Sequence, residues 1–193
     1  MVIYAAFTLA FACFLRVGEF TYKESDQAMV LDFGKWFLTK SSIRISQEAT
    51  YLELHLPSSK TDPFRKGIKL TIATTYNRGC PVLSMQKVRA IHTHRLKHAP
   101  LFRIGKFEQH AFTWEYVVRR LQELATVVGL SKGTWNRYSF RRGAATWAVE
   151  VGISENEIQT PVDLFRSKWL QNATIAIYLA LVSVALGGIL TLI

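Results

Sequence analysis

The chain opens on an almost unbroken apolar run, MVIYAAFTLAFACFL, in which no face is reserved for polar side chains. Such a run predicts a helix over residues 2–15, apolar on most sides and ending near Val17-Gly18. It resembles the apolar part of a signal peptide, but no basic segment precedes it and no small-residue cleavage site stands out. A buried helix is therefore the reading that the pattern supports. Residues 27–34 and 42–46 are short and mixed. From Thr50 to Pro57 the pattern alternates, and Tyr51, Leu52, Leu54 and Leu56 mark a strand. Gly67 to Thr74 alternates again through Ile68, Leu70 and Ile72. The polar stretch SSKTDPFRKG between these strands, with Pro63 and Gly67, reads as a hairpin loop.

Helical spacing takes over further along. Pro81 opens a helix at the position where proline is best tolerated. Val82, Met85, Val88 and Ile91 carry it over Val82 to His98. Trp114, Val117, Val118, Leu121 and Leu124 carry a second helix over Thr113 to Val128, with Gly129 as its stop. Phe140 to Gly152 reads as a third, rich in alanine. Glu155 to Phe165 is short and broken by Pro161, and everything from Trp169 onward reads as one long apolar helix. The pattern predicts an α+β fold, mainly helical, with a small antiparallel sheet.

Composition narrows the class. At 193 residues and 49% hydrophobic, the chain fits one domain with a proper core, not two domains and not a disordered segment. Lys and Arg number 24 against 14 Asp and Glu, giving a formal net charge of +10. That excess points to a polyanion, either nucleic acid or an anionic membrane surface. All of it lies between Arg16 and Lys168, because residues 1–15 and everything after Lys168 are uncharged. Two distant cysteines, Cys13 and Cys80, make no disulfide framework or metal spacing, which fits a reducing compartment, nuclear or cytoplasmic. Residues 173–193 form an uncharged stretch long enough to span a bilayer, so a membrane is the alternative location and partner. His92, His94 and His98 lie among basic neighbours, which oppose a cation, so no metal is expected there.

Some polar residues interrupt apolar segments. Arg16 follows the first helix, with Glu19 three residues later as its natural partner. Lys60 sits at the tip of the predicted hairpin. Arg141 and Arg142 begin the alanine-rich helix, and Tyr178 interrupts the last apolar one. Singly, each has an ordinary structural role. Jointly they suit metal-free phosphodiester chemistry. A tyrosine can attack phosphorus and form a covalent link. Two arginines can clamp the nonbridging oxygens, and a loop lysine can protonate the leaving oxygen.

Four segments carry a family resemblance. They are Phe14-Leu15-Arg16-Val17-Gly18-Glu19, Leu56-Pro57-Ser58-Ser59-Lys60-Thr61-Asp62 followed by Cys80-Pro81-Val82, Tyr138-Ser139-Phe140-Arg141-Arg142-Gly143-Ala144-Ala145-Thr146, and Trp169 with Tyr178. In this order they resemble the catalytic domain of tyrosine (phage-integrase-like) recombinases, and most closely the Crypton-type eukaryotic transposon recombinases. The resemblance spans residues 2 to about 180.

It implies DNA cleavage and rejoining through a 3′-phosphotyrosine, in site-specific recombination or DNA integration. Tyr178 would be the nucleophile, Arg16 and Arg141 the phosphate clamp, Lys60 the general acid, and Trp169 a donor to a nonbridging oxygen. Glu19 would support Arg16, while Arg65, Lys66 and Arg142 would contact DNA. The implied partner is double-stranded DNA, with a homo-oligomer assembled on it, and no cofactor.

The chain departs from the family pattern at Tyr138, where histidine is usual. A tyrosine there donates a hydrogen bond but accepts a proton poorly at neutral pH. Residues 159–168 replace the compact turn that the family places before Trp169. The expected organisation is a catalytic domain over 1–180 without the family's N-terminal clamp domain, followed by an apolar tail over 181–193. The expectation is thus a recombinase or a degenerate copy of one. The alternative is a non-catalytic remnant of the fold that binds DNA or is tethered to a membrane.

Overall fold

A computed structural model of the protein describes residues 1–22, 37–57, 67–91, 99–104, 110–130, 135–136, 138–150 and 152–153. Its elements are helices α1 (Val2–Ala12), α2 (Val17–Phe20), α3 (Pro81–Ile91), α4 (Trp114–Val127) and α5 (Ser139–Glu150). The strands are β1 (Ile43–Ile45), β2 (Tyr51–Leu56), β3 (Ile68–Ala73), β4 (Arg103–Ile104) and β5 (His110–Ala111). The fold is mixed α and β, with two small antiparallel sheets among the described residues.

Helix α1 is the centre of the core. Every residue from Ala5 to Ala12 is buried, so no side of the helix faces water. Its one polar residue in that span, Thr8, donates its hydroxyl to the Ala5 carbonyl and leaves no unpaired donor behind. Helices α3 and α5 pack directly on it. The α5 face is built for close approach: Ala144 and Ala148 are fully buried. A Cβ on Gly143 would lie 4.0 Å from the Phe11 ring. Phe7 meets Phe140 with ring centroids 4.8 Å apart, and Phe11 meets Trp147 at 6.3 Å. Pairs of this kind add to the burial energy of the rings themselves.

The main sheet runs in the order β1-β2-β3. Leu54 sits opposite both Ile43 and Leu70, and Leu52 opposite both Ile45 and Ile72. The alternation predicted from sequence is the one observed: Leu52, Leu54, Leu56, Leu70 and Ile72 turn inward. On the other face, the Lys69 Nζ lies 2.7 Å from Glu53 Oε1, and Arg44 is paired with Glu53 across the strands. The Lys69 hydrogen bond holds the Glu53 carboxyl below its ordinary range. Strand β1 is the one that the mixed pattern at residues 42–46 did not announce. At 3 residues it is too short for alternation to register.

Tyr22 ties the remaining strands to the helices. Its hydroxyl donates to the Leu38 carbonyl and accepts the Leu101 N–H at 2.9 Å, while its own N–H donates to the Phe112 carbonyl at 2.9 Å. Burial pushes its phenol well up from the ordinary value, which keeps the donor protonated. Cys13 and Cys80 are both buried free thiols. Burial pushes the Cys80 thiol up. The hydrogen bonds it accepts from Thr74, from the Leu83 and Thr75 N–H groups outweigh that, and it sits below the usual thiol range.

The helix ends show where pattern and structure differ. Helix α4 starts at Thr113, whose hydroxyl accepts the Tyr116 N–H, and stops at Gly129 as the sequence predicts. Helix α3 begins at Pro81 as predicted, and it is described as far as Ile91. Helix α1, predicted to run to Val17-Gly18, ends at Ala12. The chain reverses there through Phe14, at φ 53°, and restarts as the separate helix α2. The mixed stretch over residues 27–34, the predicted hairpin loop before Gly67 and everything from Glu155 lie outside the described residues.

Two glycines with positive φ give a test of local geometry. Gly129 has open space around its missing Cβ, so Gly129→Ala meets only the cost of a left-handed backbone, about 1 kcal/mol. A Cβ on Gly67 would lie 2.9 Å from the Leu56 carbonyl oxygen and 2.8 Å from His55 Nε2. Gly67→Ala is therefore expected to cost at least about 2 kcal/mol, because a backbone atom cannot step aside as a side chain can. Urea unfolding of the two variants checks the difference, and equal losses would contradict it.

Candidate functional site

The α1 terminus delivers Arg16 to the edge of the core. Leu15 and Val17 on either side of it are buried, at 2% and 0% exposure. Arg16 itself is extended (φ −78°, ψ 151°) and caps the start of α2. Glu19 holds it at two points. Its Oε2 accepts the Arg16 backbone N–H at 2.8 Å, and its Oε1 accepts Nη1 of the guanidinium at 3.0 Å. The Glu19 N–H in turn donates to the Arg16 carbonyl at 2.9 Å. The ion pair inferred from the spacing is thus present, and it is also a helix cap. One carboxylate fixes both the backbone and the side chain of the arginine.

The second arginine block opens α5. Arg141 is half-buried and Arg142 is exposed. Between them and the Arg16 turn stands Phe140. Its ring lies 5.8 Å from Phe20 at the end of α2, edge to face, and 4.8 Å from Phe7 on α1. The short helix that starts at Arg16 and the long helix that starts beside Arg141 are thus joined through one aromatic cluster. Two segments more than a hundred residues apart in sequence are brought into one neighbourhood.

Tyr138 precedes this helix and is 36% exposed. The Arg142 guanidinium carbon sits 5.7 Å from the centre of its ring, a cation–π arrangement that occupies the face of the phenol. Lys60, Arg65, Lys66, Trp169 and Tyr178 lie outside the described residues. His92, His94 and His98, and residues 173–193, lie outside them too. Among the described residues, no group of three or more His, Cys, Asp or Glu gathers to hold a metal ion. None of their helices is long and apolar enough to cross a membrane.

The basic residues divide into two groups. Lys69 is paired with Glu53, and Arg119 and Arg120 both reach Glu123, at 3.9 and 2.8 Å. Exposed pairs of this kind add little stability, but they lower the charge presented to a polyanion. Arg78, Lys87 and Arg89 are exposed on α3 and the loop that precedes it. Two positions that shape the site carried no chemical signal in the sequence: Phe14, which turns the chain toward Arg16, and Phe20, which meets Phe140. Phe14 read there as part of the first buried helix, and Phe20 drew no reading. Comparison with protein-family models, curated proteins and solved structures found no match.

The Glu19 grip is testable on stability alone. Glu19→Ala leaves the Arg16 N–H without its acceptor and removes the ion pair, for an expected loss of about 1–2 kcal/mol in chemical denaturation. Glu19→Gln keeps an acceptor for the backbone N–H, and its loss should be smaller, about 1 kcal/mol or less. Equal losses in both variants would mean that the cap contributes nothing beyond the charge.

Proposed function

We propose that this chain is the catalytic core of a tyrosine recombinase, cleaving and rejoining double-stranded DNA through a 3′-phosphotyrosine on Tyr178. The observation that carries this reading is the junction at Phe140. There α2, which Arg16 caps, meets through Phe20 the helix α5 that carries Arg141. Two guanidinium groups from different helices suit the two nonbridging oxygens of one phosphate, and they would stabilise the charge that builds up during attack. Glu19 takes one N–H of Arg16 and fixes its direction, and the rest of the fork is suited to an oxyanion.

The remaining roles follow from residue chemistry. Lys60, which falls between β2 and β3 in sequence, would protonate the leaving 5′ oxygen, since an ammonium on a long side chain can follow it. Trp169 would donate its indole N–H to a nonbridging oxygen. Arg65, Lys66 and Arg142 would contact the duplex, on which copies of the chain would assemble. No metal or cofactor is called for, and the fold would be the recombinase catalytic fold.

A second reading has one observation in its favour. Tyr138 stands where the chemistry would use a histidine, and its ring is engaged by Arg142. That arrangement suits a protein that keeps a basic DNA-facing surface without turning over, or a remnant tethered to a membrane through residues 173–193.

Incubation with nicked duplex DNA, from which the cleaved end diffuses away, separates the two. The recombinase reading expects a covalent protein–DNA adduct that survives denaturation and is absent in Tyr178→Phe. Arg16→Ala and Arg141→Ala should each lower its yield at least about a hundredfold. Salt-dependent duplex binding with no adduct from the unmodified chain would overturn the enzymatic reading and favour the second.

A further inference from the structure

Among the described residues, three helices end in the same way. Leu15 N–H donates back to Ala10 at 2.8 Å, Leu130 to Ala125 at 2.8 Å, and Ile153 to Ala148 at 2.9 Å. This bond pattern requires a left-handed residue just before the donor. In α4 and α5 that residue is glycine, Gly129 at φ 79° and Gly152 at φ 86°. In α1 it is Phe14, at φ 53°. A bulky side chain in that region is strained, and such strain persists only where the surroundings enforce it. The enforcement is visible here. Phe14 is 7% exposed and its ring belongs to the core cluster.

We infer that Phe14 is a positioning residue for Arg16: its buried ring holds the left-handed turn that aims the Arg16–Glu19 clasp. Arg16 follows two residues later, and its N–H already points at Glu19 Oε2. Were Phe14 to relax to negative φ, the chain would leave α1 in another direction. Phe20 would then part from Phe140, and a four-residue helix without that packing is too short to keep Arg16 on Glu19. The purpose of that aim, a phosphate clamp, rests on the recombinase reading, but the positioning itself does not.

Substitution by Gly and by Val separates backbone from packing. Both remove the ring. Glycine accepts φ 53° freely, whereas valine fills more of the space and resists that conformation. If Phe14 acts only by packing, Phe14→Val is the better-tolerated change. If it acts by positioning, the order at Arg16 reverses. Amide hydrogen exchange by NMR reads this directly, with the Leu52 and Leu54 amides of the sheet as folding controls.

The expected result is Arg16 exchange at least about tenfold faster in Phe14→Val than in Phe14→Gly, with the sheet amides alike in both. Equal exchange, or slower exchange in Phe14→Val, would overturn the inference. Should neither variant fold, the unmodified protein decides: a strong intraresidue HN–Hα Overhauser effect at Phe14 reports positive φ, and a weak one overturns the proposal. On nicked DNA, Phe14→Gly should retain adduct formation better than Phe14→Val. An unmodified protein that forms no adduct defeats the recombinase reading, while the exchange result still decides the role of Phe14.

Discussion

The burial of α1 on every side is the constraint from which the rest of the molecule follows. A helix with no polar face cannot lie on a surface, so the chain must surround it. Helices α3 and α5 close on it, and the apolar faces of β2 and β3 join the same core. The small residues Ala5, Ala6 and Ala10 let its neighbours approach closely, while Phe7 and Phe11 reach out between them. A helix so enclosed also has to end inside the core. Its last carbonyls are satisfied by the turn at Phe14, and the first charged residue of the chain, Arg16, emerges where the core gives way to solvent.

This geometry links stability to chemistry. The Phe7–Phe140–Phe20 cluster is a packing feature, but it also sets the α2 turn against the first turn of α5. An arginine at the boundary of such a cluster has one side in a medium of low polarity, where an ion pair orients it more firmly than in water. Glu19 supplies that pair and the helix cap in one group. The wider charge pattern is divided as well. Several basic side chains on β3 and α4 are paired to carboxylates, whereas Lys87 and Arg89 on α3 and Arg142 at the start of α5 are exposed. The net charge of +10 is therefore a poor measure of the field on any one face.

Much of this was legible in the sequence, for physical reasons that differ by element. Strands β2 and β3 and helix α4 carry clean periods and conventional stops, Gly67 and Gly129 among them. Their bounds follow from pattern alone. The Arg16–Glu19 pair was legible because its partners are three residues apart. The end of α1 was not, because a left-handed phenylalanine carries no local signal: the sequence there reads as more helix, and only tertiary packing makes the turn. Strand β1 is held by its pairing to β2 and not by its own pattern. The Tyr22 link ties together Leu38, Leu101 and Phe112, far apart in the chain, over distances at which periodicity says nothing.

Under the recombinase proposal, Arg16 and Arg141 would serve one anion. The most direct measurement is the structure of the protein bound to a short DNA duplex. Both guanidinium groups are expected on the nonbridging oxygens of a single phosphate, with Glu19 still bonded to Arg16. Side chains of Arg16 and Arg141 turned to separate surfaces, with no phosphate between them, would contradict it.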